Sequence, residues 1–588
     1  MPKVASFKSP SYEPLPHTGV VAYFSMEIAI NPGMPTYSGG LGVLAGDTLR
    51  SAADLNTPLV AFTLLHRKGY FRQHLDAEGN QTEDIQPWVV EDFCTEETPR
   101  ITVNIEDRVV TVRAWRYEMV GRAGHMIPIY LLDTDLPENS PWDRSLTDHL
   151  YGGDSNYRLQ QEIVLGMGGA RMLNALNYRV NVYHMNEGHA AFLTLALLEA
   201  QLGGGPLNRV SPVDIDAVRK KCVFTTHTPV PAGHDRFTIE QSIRILGGER
   251  TARLEALGCC HEGMLNMTYV ALRFSRYCNG VALQHGNVSR AMFPEYKVDA
   301  ITNGVHAPTW VSESFQDLFD RSIDHWRRDN LFLRNAIELP IDQVIKAHAQ
   351  NKEALLAEVA SRTGLVLNPK VLTLGFARRA ATYKRADLLF THPERLVEIA
   401  KAAGGLQILY AGKAHPQDQP GKAIIHNVIE KAHEISGVDL RIVYLENYDW
   451  DLGALLTAGV DVWVNTPRRP YEASGTSGMK AAFNGVPSLS ILDGWWIEGC
   501  LEGFTGWAIE DGADDAEEAD SLYKKLENAV VPLYLKEPEA WARMMRTTIA
   551  YNGSFFNTNR MVKQYIRNAY YPMTMLESVP VEEPVSSI

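Results

Sequence analysis

One glycine- and serine-rich stretch ends in a lysine and combines residue types that bind a phosphate with one that can hold an aldehyde. It reads Glu472-Ala-Ser-Gly-Thr-Ser-Gly-Met-Lys480 and opens a helical pattern, so its backbone N–H groups favour an anion. A cation one turn into a helix opposes the helix dipole by roughly 0.3–1 kcal/mol, so Lys480 needs an anion beside it or a chemical modification. An aldehyde cofactor held on Lys480 as an imine, with its phosphate on the loop, meets both needs. The alternative is an ordinary loop in which Lys480 pairs with Glu472 or faces solvent.

A second stretch concentrates positive charge directly after a predicted strand. Arg378-Arg-Ala-Ala-Thr-Tyr-Lys-Arg385 carries four cations in eight residues, whereas the whole chain has a formal net charge of −14. Cations beside a buried strand are costly to desolvate, and Arg and Lys together suit phosphate oxygens. We therefore interpret the run as a phosphate-binding cluster that suits two phosphates better than one. The alternative is an exposed, charged helix face.

Polar residues also follow strands in the first half of the chain, and open α/β sheets bind ligands at such positions. Asn186, Glu187 and His189 follow a strand predicted over residues 180–185. Asn186 is predicted to cap the next helix, whereas Glu187 and His189 are candidate ligand contacts. His227 lies in a loop rich in Thr and Pro after the next strand, and loops at strand ends often carry function.

Two further segments place glycine next to polar residues. Ser38-Gly-Gly-Leu-Gly-Val-Leu-Ala-Gly-Asp47 has GxGxxxG spacing, which departs from the GxGxxG of dinucleotide sites. It predicts a helix start that binds an anion or a hydroxyl, or else a tight turn. Asn303-Gly304 is a turn signal after a strand predicted over residues 298–302. His234 is a weaker candidate than His227.

The composition is that of a large globular protein, with 588 residues of which 45% are hydrophobic and 21% charged. The negative net charge disfavours a nucleic-acid binder, and no run approaches the ~20 apolar residues of a membrane span. The six cysteines fit no disulfide framework, and neither CxxC nor HExxH spacing indicates a metal site. The first residues show no signal-peptide pattern. We therefore expect a reduced cytoplasmic enzyme with an anionic ligand and no metal.

Strands and helices alternate along the chain and predict an α/β fold with two parallel, doubly wound sheets on either side of a cleft. The first half has strands predicted over residues 19–25 and 57–64, with antiparallel edge strands within residues 100–133. A helix over residues 341–362 precedes the second half, and residues 520–572 read as helical. The strands predicted in the second half are 371–377, 407–411, 441–445, 461–465 and 487–491. The predicted domains are 1–320, 321–560 and 561–588, the last being a helix end and a disordered tail.

Seven segments, among them residues 378–385 and 472–480, occur in the order known from one enzyme family. The other five are Ser38-Gly-Gly-Leu-Gly42, Asn186-Glu-Gly-His189, Thr226-His-Thr228, Thr302-Asn-Gly304 and Leu445-Glu-Asn-Tyr448. Together they resemble the glycogen and α-glucan phosphorylases, in particular their short bacterial and archaeal branch. The resemblance runs from about residue 20 to 560 and implies two Rossmann-like domains in the GT-B type of glycosyltransferase architecture.

The resemblance implies a role for each matching residue, beginning with Lys480, which holds pyridoxal 5′-phosphate covalently as a Schiff base. The residues implied around the cofactor are Thr476, Ser477, Gly478, Arg378 and Tyr448. The residues implied in catalysis are His227, Arg379, Lys384 and Glu472, of which Arg379 and Lys384 hold the substrate phosphate. The remaining implied substrate contacts are Gly39, Gly40, Leu41, Glu187, His189, Asn303, Tyr383, Ser474 and Gly475.

The implied reaction is retaining phosphorolysis of an α-1,4-glucan such as glycogen, starch or maltodextrin. Inorganic phosphate releases α-glucose 1-phosphate, the cofactor's own phosphate shuttles a proton, and the family suits a homodimer. Ser477 and Gly478 stand where the animal enzymes have Gly and Asn, Ala381 replaces a His, and Arg378 replaces a Lys. Two other classes stay open. A nucleotide-sugar glucosyltransferase of the glycogen or starch synthase type needs no aldehyde-bearing lysine, and a non-catalytic glucan-binding protein needs no phosphate cluster.

Overall fold

The first of two large sheets is parallel over most of its width and antiparallel at one edge. The computed structural model describes residues 18–571, in which this sheet has ten strands. Across the sheet the order is Asp299–Ala300, Tyr277–Gly280, Cys222–Thr225, Arg179–Asn186, Thr18–Ser25, Leu59–Leu64, Met126–Asp133, Arg108–Val120 and Thr95–Glu96, with Ile101–Ile105 paired to Arg108–Val120. The antiparallel edge predicted within residues 100–133 is confirmed, because Arg108–Val120 pairs antiparallel with Met126–Asp133. The strand predicted over 298–302 is only the short Asp299–Ala300.

The second sheet has six strands, all parallel. Its order across the sheet is Leu440–Leu445, Leu406–Ala411, Leu372–Ala377, Val462–Asn465, Ser488–Ile491 and Gly506–Ile509. Numbered along the chain this is 3-2-1-4-5-6, the usual order of a doubly wound sheet. All five predicted strands are confirmed, because short apolar runs buried on both faces are typical of parallel strands. The sixth strand, Gly506–Ile509, escaped prediction, since it begins with glycine.

Helices connect the strands and cover both sheets. They are Gly40–Asp54, Pro141–Arg144, Ser155–Ile163, Gly169–Ala175, Leu193–Gln201, Pro212–Arg219, Ile239–Leu246, Gly248–Ala256, Met267–Arg273, Leu283–Met292, Ala307–Trp310, Glu313–Ser322, Ile341–Thr363, Pro393–Ala402, Gln419–Ile435, Trp450–Gly459, Ser477–Phe483, Trp496–Gly499, Asp515–Lys525, Val531–Lys536, Pro538–Thr548 and Thr558–Tyr565. The helix predicted over 341–362 is confirmed and ends at Gly364, whose φ of 74° stops it. The helical region predicted over 520–572 is several helices, and the tail from residue 578 lies outside the described residues. Between residues 18 and 571 no helix has the length and apolar character needed to span a membrane.

Apolar packing ties the two halves of the chain together. Trp310 and Phe315 lie in the same buried cluster as Leu374 of the second sheet. In the other direction, Met561 and Tyr565 of the last helix pack with the first sheet. The end of the chain therefore crosses back over the first sheet, and residues just after that sheet support the second. All six cysteines lie within the described range and are free thiols.

Candidate active site

The lysine stretch folds into a tight loop that runs into a short helix. Residues 472–476, called the lysine loop below, lead into the helix Ser477–Phe483, called the lysine helix, with Thr476 at its N-cap. Lys480 is only 7% exposed, and its Nζ lies 3.4 Å from the centroid of the Trp310 ring. The backbone N–H of Lys480 stays within the helix, so only its side chain is free for chemistry.

Burial changes the protonation of Lys480. It lowers the pKa of the ammonium to about 8, and Asp47 offsets part of that effect. Asp47 is itself buried and accepts a hydrogen bond of 2.7 Å from Trp310 Nε1. A lysine with this pKa has a sizeable neutral fraction near pH 8, and a neutral amine attacks an aldehyde. The first interpretation of the lysine is therefore favoured over a solvent-facing or Glu472-paired side chain.

Glu472, at the start of the lysine loop, joins that loop to the cationic run. A single oxygen, Oε2, accepts from Arg378 at 2.5 Å and from Lys384 at 2.5 Å. Burial alone would raise the pKa of Glu472, but Arg378 and Lys384 lower it to about 2. The carboxylate is therefore ionised under all ordinary conditions. Its two cationic partners concentrate positive charge where the second sheet's first strand ends.

Several buried polar atoms of the site have no partner in the described chain, and they test whether an anionic cofactor fits. They are Nε and one terminal nitrogen of Arg378, Oγ of Ser474 and Oδ1 of Asn303. A buried donor or acceptor without a partner costs about 1–3 kcal/mol, so such groups ordinarily meet a ligand or water. The free guanidinium nitrogens of Arg378, which also binds Glu472 of the lysine loop, suit a bound phosphate, and these residues therefore fit a phosphorylated aldehyde.

The cationic run does not act as a single cluster. Arg385, which the sequence grouped with the others, turns away and forms ion pairs with Asp515 and Glu518. That interpretation was wrong for Arg385, because its φ of 47° and its bonds to nearby carbonyl oxygens commit it to holding the loop. Arg379 is exposed. Tyr383 lies under Lys384, whose Nζ is 4.4 Å from the ring centroid.

The loops of the first sheet gather His227 and Glu187 into one hydrogen-bonded group. Glu187 accepts from the backbone N–H of His227 at 2.7 Å, and its φ of 75° turns it out of the strand direction. Burial lowers the pKa of His227 to about 4, so its ring is neutral. The predicted N-cap role of Asn186 was wrong: Glu187 is the N-cap of the short turn Gly188–Ala190, and Asn186 contacts a ring nitrogen of His227 at 2.7 Å.

The remaining predicted contacts lie around these groups. His189 Nε2 lies 3.3 Å from Asp235, and its other ring nitrogen is buried without a partner. The backbone oxygen of Asn303 accepts from Arg560 at 2.9 Å, and its side-chain Oδ1 is buried without a partner in the described chain. Burial and Asp449 raise the pKa of Tyr448 to about 12 while Arg378 lowers it, so the phenol keeps its proton.

A carboxylate of the chain itself occupies the helix start that the sequence predicted as an anion site. Glu27 Oε2 accepts from the backbone N–H groups of Ser38 at 2.5 Å and Gly39 at 3.2 Å. The helix begins at Gly40, followed by Leu41, and a side chain added at Gly39 or Gly40 would meet open space. The tight-turn and anion-site interpretations therefore both hold in part, with Glu27 as the anion.

Several site residues came from tertiary packing that the motifs did not reveal. Trp310 and Glu27 are examples, and Asp47 ends the second glycine segment without an assigned role. Trp463 Nε1 also donates to Ser477 Oγ at 3.2 Å. A weak signal existed for some of them, since buried tryptophans near a glycine loop need a partner for the indole N–H. Within the lysine loop, Gly475 has a φ of 81°, which strains other residue types.

Gly478 gives a first prediction, because the ring of Trp495 fills the space of its missing side chain. An added Cβ would lie 2.8 Å from a Trp495 ring carbon and 3.3 Å from Ser488 Oγ. We expect Gly478→Ala to lower the free energy of unfolding by about 1–3 kcal/mol, the usual cost of overpacking. Gly437→Ala is the matched control, since nothing lies within 4 Å of that position. Urea unfolding of both variants measures the difference, and equal midpoints would show that Trp495 yields without cost.

Comparison with known proteins points to one family. A model of the carbohydrate phosphorylases matches residues 232–502. The chain is 40% identical to the maltodextrin phosphorylase of Thermococcus litoralis, over 94% of this chain and 70% of that one. It is 38% identical to a glycogen phosphorylase of Mycobacterium tuberculosis, over 94% and 71%. It is 35% identical to the glycogen phosphorylase of Aquifex aeolicus, over 94% and 86%.

Proposed function

Because the chain belongs to the carbohydrate phosphorylase family, we propose that it cleaves α-1,4-glucans with inorganic phosphate and releases α-glucose 1-phosphate with retention of configuration. One observation carries the proposal. The buried Lys480 shares a short loop and helix with Glu472, which is bound by Arg378 and Lys384. A lysine for an aldehyde and two cations for phosphates thus lie within one loop system.

We further propose pyridoxal 5′-phosphate as the cofactor, with Lys480 as its covalent anchor. Arg378 supports this assignment through two buried nitrogens that have no partner, and Thr476, Ser477 and Gly478 form the helix start beside it. Gly478 lets the Trp495 ring pack against this helix start, and Tyr448 completes the group of residues around the cofactor. When bound, the cofactor supplies a phosphate that exchanges a proton with the substrate phosphate.

The residues of the chain bind the phosphate and the sugar and stabilise the charge that develops in the reaction. Arg379 and Lys384 hold the attacking phosphate, with the open backbone at Gly40 and the Tyr383 ring beside it. Glu472, Ser474, Gly475 and Asn303 bind the glucosyl hydroxyls, and Glu187 and His189 contact the sugar further along. The substrate phosphate protonates the leaving oxygen and attacks the anomeric carbon from the same face, while the backbone carbonyl of His227 faces the developing positive charge.

We propose that the two sheets belong to facing domains, divided as 1–320, 321–560 and a terminal 561–588, in the GT-B arrangement. Contacts between the halves support this. His415 of the second half lies 3.1 Å from the backbone oxygen of Tyr151, and Tyr151 binds the Glu27 carboxylate at 3.0 Å. Open parallel sheets bind ligands at their carboxyl edges, so facing edges enclose the substrate. Cytoplasmic location and a homodimer complete the proposal.

Phosphate-dependent release of glucose 1-phosphate tests the activity. Purified protein supplied with pyridoxal phosphate is incubated with maltodextrin and inorganic phosphate, and the anomer is assigned by NMR. We expect α-glucose 1-phosphate and a glucan one unit shorter. Transfer from a nucleotide sugar without phosphorolysis would instead identify a glucosyltransferase. Glucan binding with no turnover from either donor would identify a binding protein.

The pKa of Lys480 predicts how cofactor loading depends on pH. Only the neutral amine reacts, and with a pKa of about 8 its fraction rises roughly fivefold between pH 7 and pH 8 and then levels off. We expect the initial rate of loading into cofactor-free protein to follow that curve. Borohydride trapping at timed intervals, followed by peptide mass spectrometry, measures it. An ordinary lysine would instead show a tenfold rise per pH unit through pH 9, and that result would contradict the assignment.

A further inference from the structure

A turn outside all of the motifs contacts the lysine loop at its first residue. Asp493 follows the strand Ser488–Ile491 and is 3% exposed. Its Oδ2 accepts the backbone N–H of Glu472 at 2.9 Å, and its Oδ1 accepts the N–H of Gly494 at 2.9 Å. The bond to Gly494 closes an ordinary local turn. The bond to Glu472 joins residues 21 positions apart, and the local turn does not require it.

The next two residues contact the loop at two more points. The backbone N–H of Trp495 donates to the carbonyl oxygen of Ser474 at 2.9 Å. Gly494 has a φ of 55°, and a Cβ added there would lie 2.5 Å from the same oxygen, so only glycine allows this approach. The Trp495 ring lies against Gly478, where the lysine helix begins.

The turn itself is held firmly by its surroundings. The Trp495 ring packs edge-on against Phe556, with centroids 4.8 Å apart, and contacts Trp496 at 5.2 Å. A Cβ at Gly499 would lie 2.5 Å from the same ring, so this side is also filled. Trp495 therefore has no room to move, and whatever it contacts is fixed in turn.

We propose that residues 493–495, called the clamp turn, position the lysine loop for the reaction. Asp493 fixes the backbone from which Glu472 reaches Arg378 and Lys384, and Trp495 fixes the helix that carries Lys480. Asp493 is a positioning residue and contacts no reacting atom. The inference rests on the proposed function for its effect on turnover, but the clamp itself is a property of the loop.

The groups around Asp493 set its protonation state. Burial and the neighbouring Glu472 carboxylate raise the pKa of Asp493 to about 6, while its two N–H donors and Arg469 lower it. Glu472 stays ionised at that pH, because Arg378 and Lys384 hold its own pKa near 2. Protonation of Asp493 removes one of the two accepting oxygens. Asp493 is therefore mostly ionised at neutral pH, where both of its oxygens accept an N–H.

Asp493→Asn is the main test, since an amide of the same size offers one acceptor in place of two. We expect the amide hydrogens of residues 472–475 to exchange at least tenfold faster, measured by mass spectrometry. We also expect kcat to fall by about 10- to 100-fold, the range for a misplaced catalytic group, with cofactor content and the KM for phosphate near parental values. Asp216→Asn is the control, because Asp216 pairs with Arg219 on the exposed surface of the helix Pro212–Arg219.

The outcomes separate the clamp from the activity. Faster exchange without any phosphorolysis in the parent would support the clamp and overturn the proposed function. Parental exchange and kcat in Asp493→Asn, with an active parent, would overturn the clamp. If the variant fails to fold, the parent decides. The amide of Glu472 must exchange at least about tenfold more slowly than its intrinsic rate, because Asp493 accepts its hydrogen, and exchange near the intrinsic rate would overturn the inference.

Discussion

Replacing Lys480 by alanine is expected to abolish retention of pyridoxal phosphate and to reduce phosphorolysis below detection. The lysine is the covalent anchor in the proposed site, and its buried Nζ over the Trp310 ring has no substitute nearby in the lysine helix. The fold should survive, since truncating a lysine whose pKa is already lowered by burial removes a desolvated charge. Absorbance of dialysed protein and a phosphorolysis assay measure the two effects.

Lys413 serves as an internal control for the labelling experiment. Burial also lowers the pKa of Lys413 to about 8, and its Nζ lies 5.4 Å from the centroid of the Phe71 ring. If reactivity followed pKa alone, borohydride would trap the cofactor on both lysines. We expect the adduct on Lys480 only, since the Nζ of Lys413 is held by a hydrogen bond of 3.1 Å to the backbone oxygen of Phe71. An adduct on Lys413 in the Lys480→Ala variant would contradict the assigned site.

Replacing Lys384 by alanine is expected to keep the cofactor but to lower kcat by about 10²–10³. Loss of one preorganised charge at the reacting group costs about 2.7–4 kcal/mol of transition-state stabilisation. Lys384 is buried and bonded to Glu472, so its removal also leaves that carboxylate with Arg378 alone. The measurement is kcat and the KM for phosphate at saturating maltodextrin, together with cofactor content.

Lys524→Ala is the control for this charge removal. Its side chain is 63% exposed and pairs only with Asp520 in the same helix, so it removes a cation far from any buried partner. Exposed pairs of this kind contribute about 0–1 kcal/mol to stability. A Lys384→Ala enzyme with near-parental turnover would refute the role of Lys384 in holding phosphate. Loss of cofactor from that variant would instead place Lys384 at the anchor site.

The prediction from sequence succeeded where the information is local. The strands of the second sheet are buried on both faces, so each is a short apolar run that can be recognised in the sequence alone. The lysine loop was found because glycine, serine and threonine directly before a helix expose backbone N–H groups that bind an anion. The helix Ile341–Thr363 was predicted within a residue, since its ends coincide with Pro340 and Gly364.

Tertiary structure decided the features that depend on residues far apart in the chain. Trp310 lies over Lys480 and lowers its contact with water, although 170 positions separate them. Arg385 looked like a fourth phosphate ligand, but Asp515 and Glu518 neutralise it. No local pattern could show this, because the role of a cation depends on which anion the fold places beside it.

The sequence by itself therefore determined the chemistry available to this protein: a lysine at a glycine loop, cations after a strand, and two parallel sheets to carry them. Only the tertiary structure decided their working state. Burial lowers the pKa of Lys480, two cations keep Glu472 ionised, and Asp493 accepts the backbone N–H of Glu472. The physical reason is that residue type and spacing act locally, whereas desolvation and charge pairing are set by neighbours that only folding supplies.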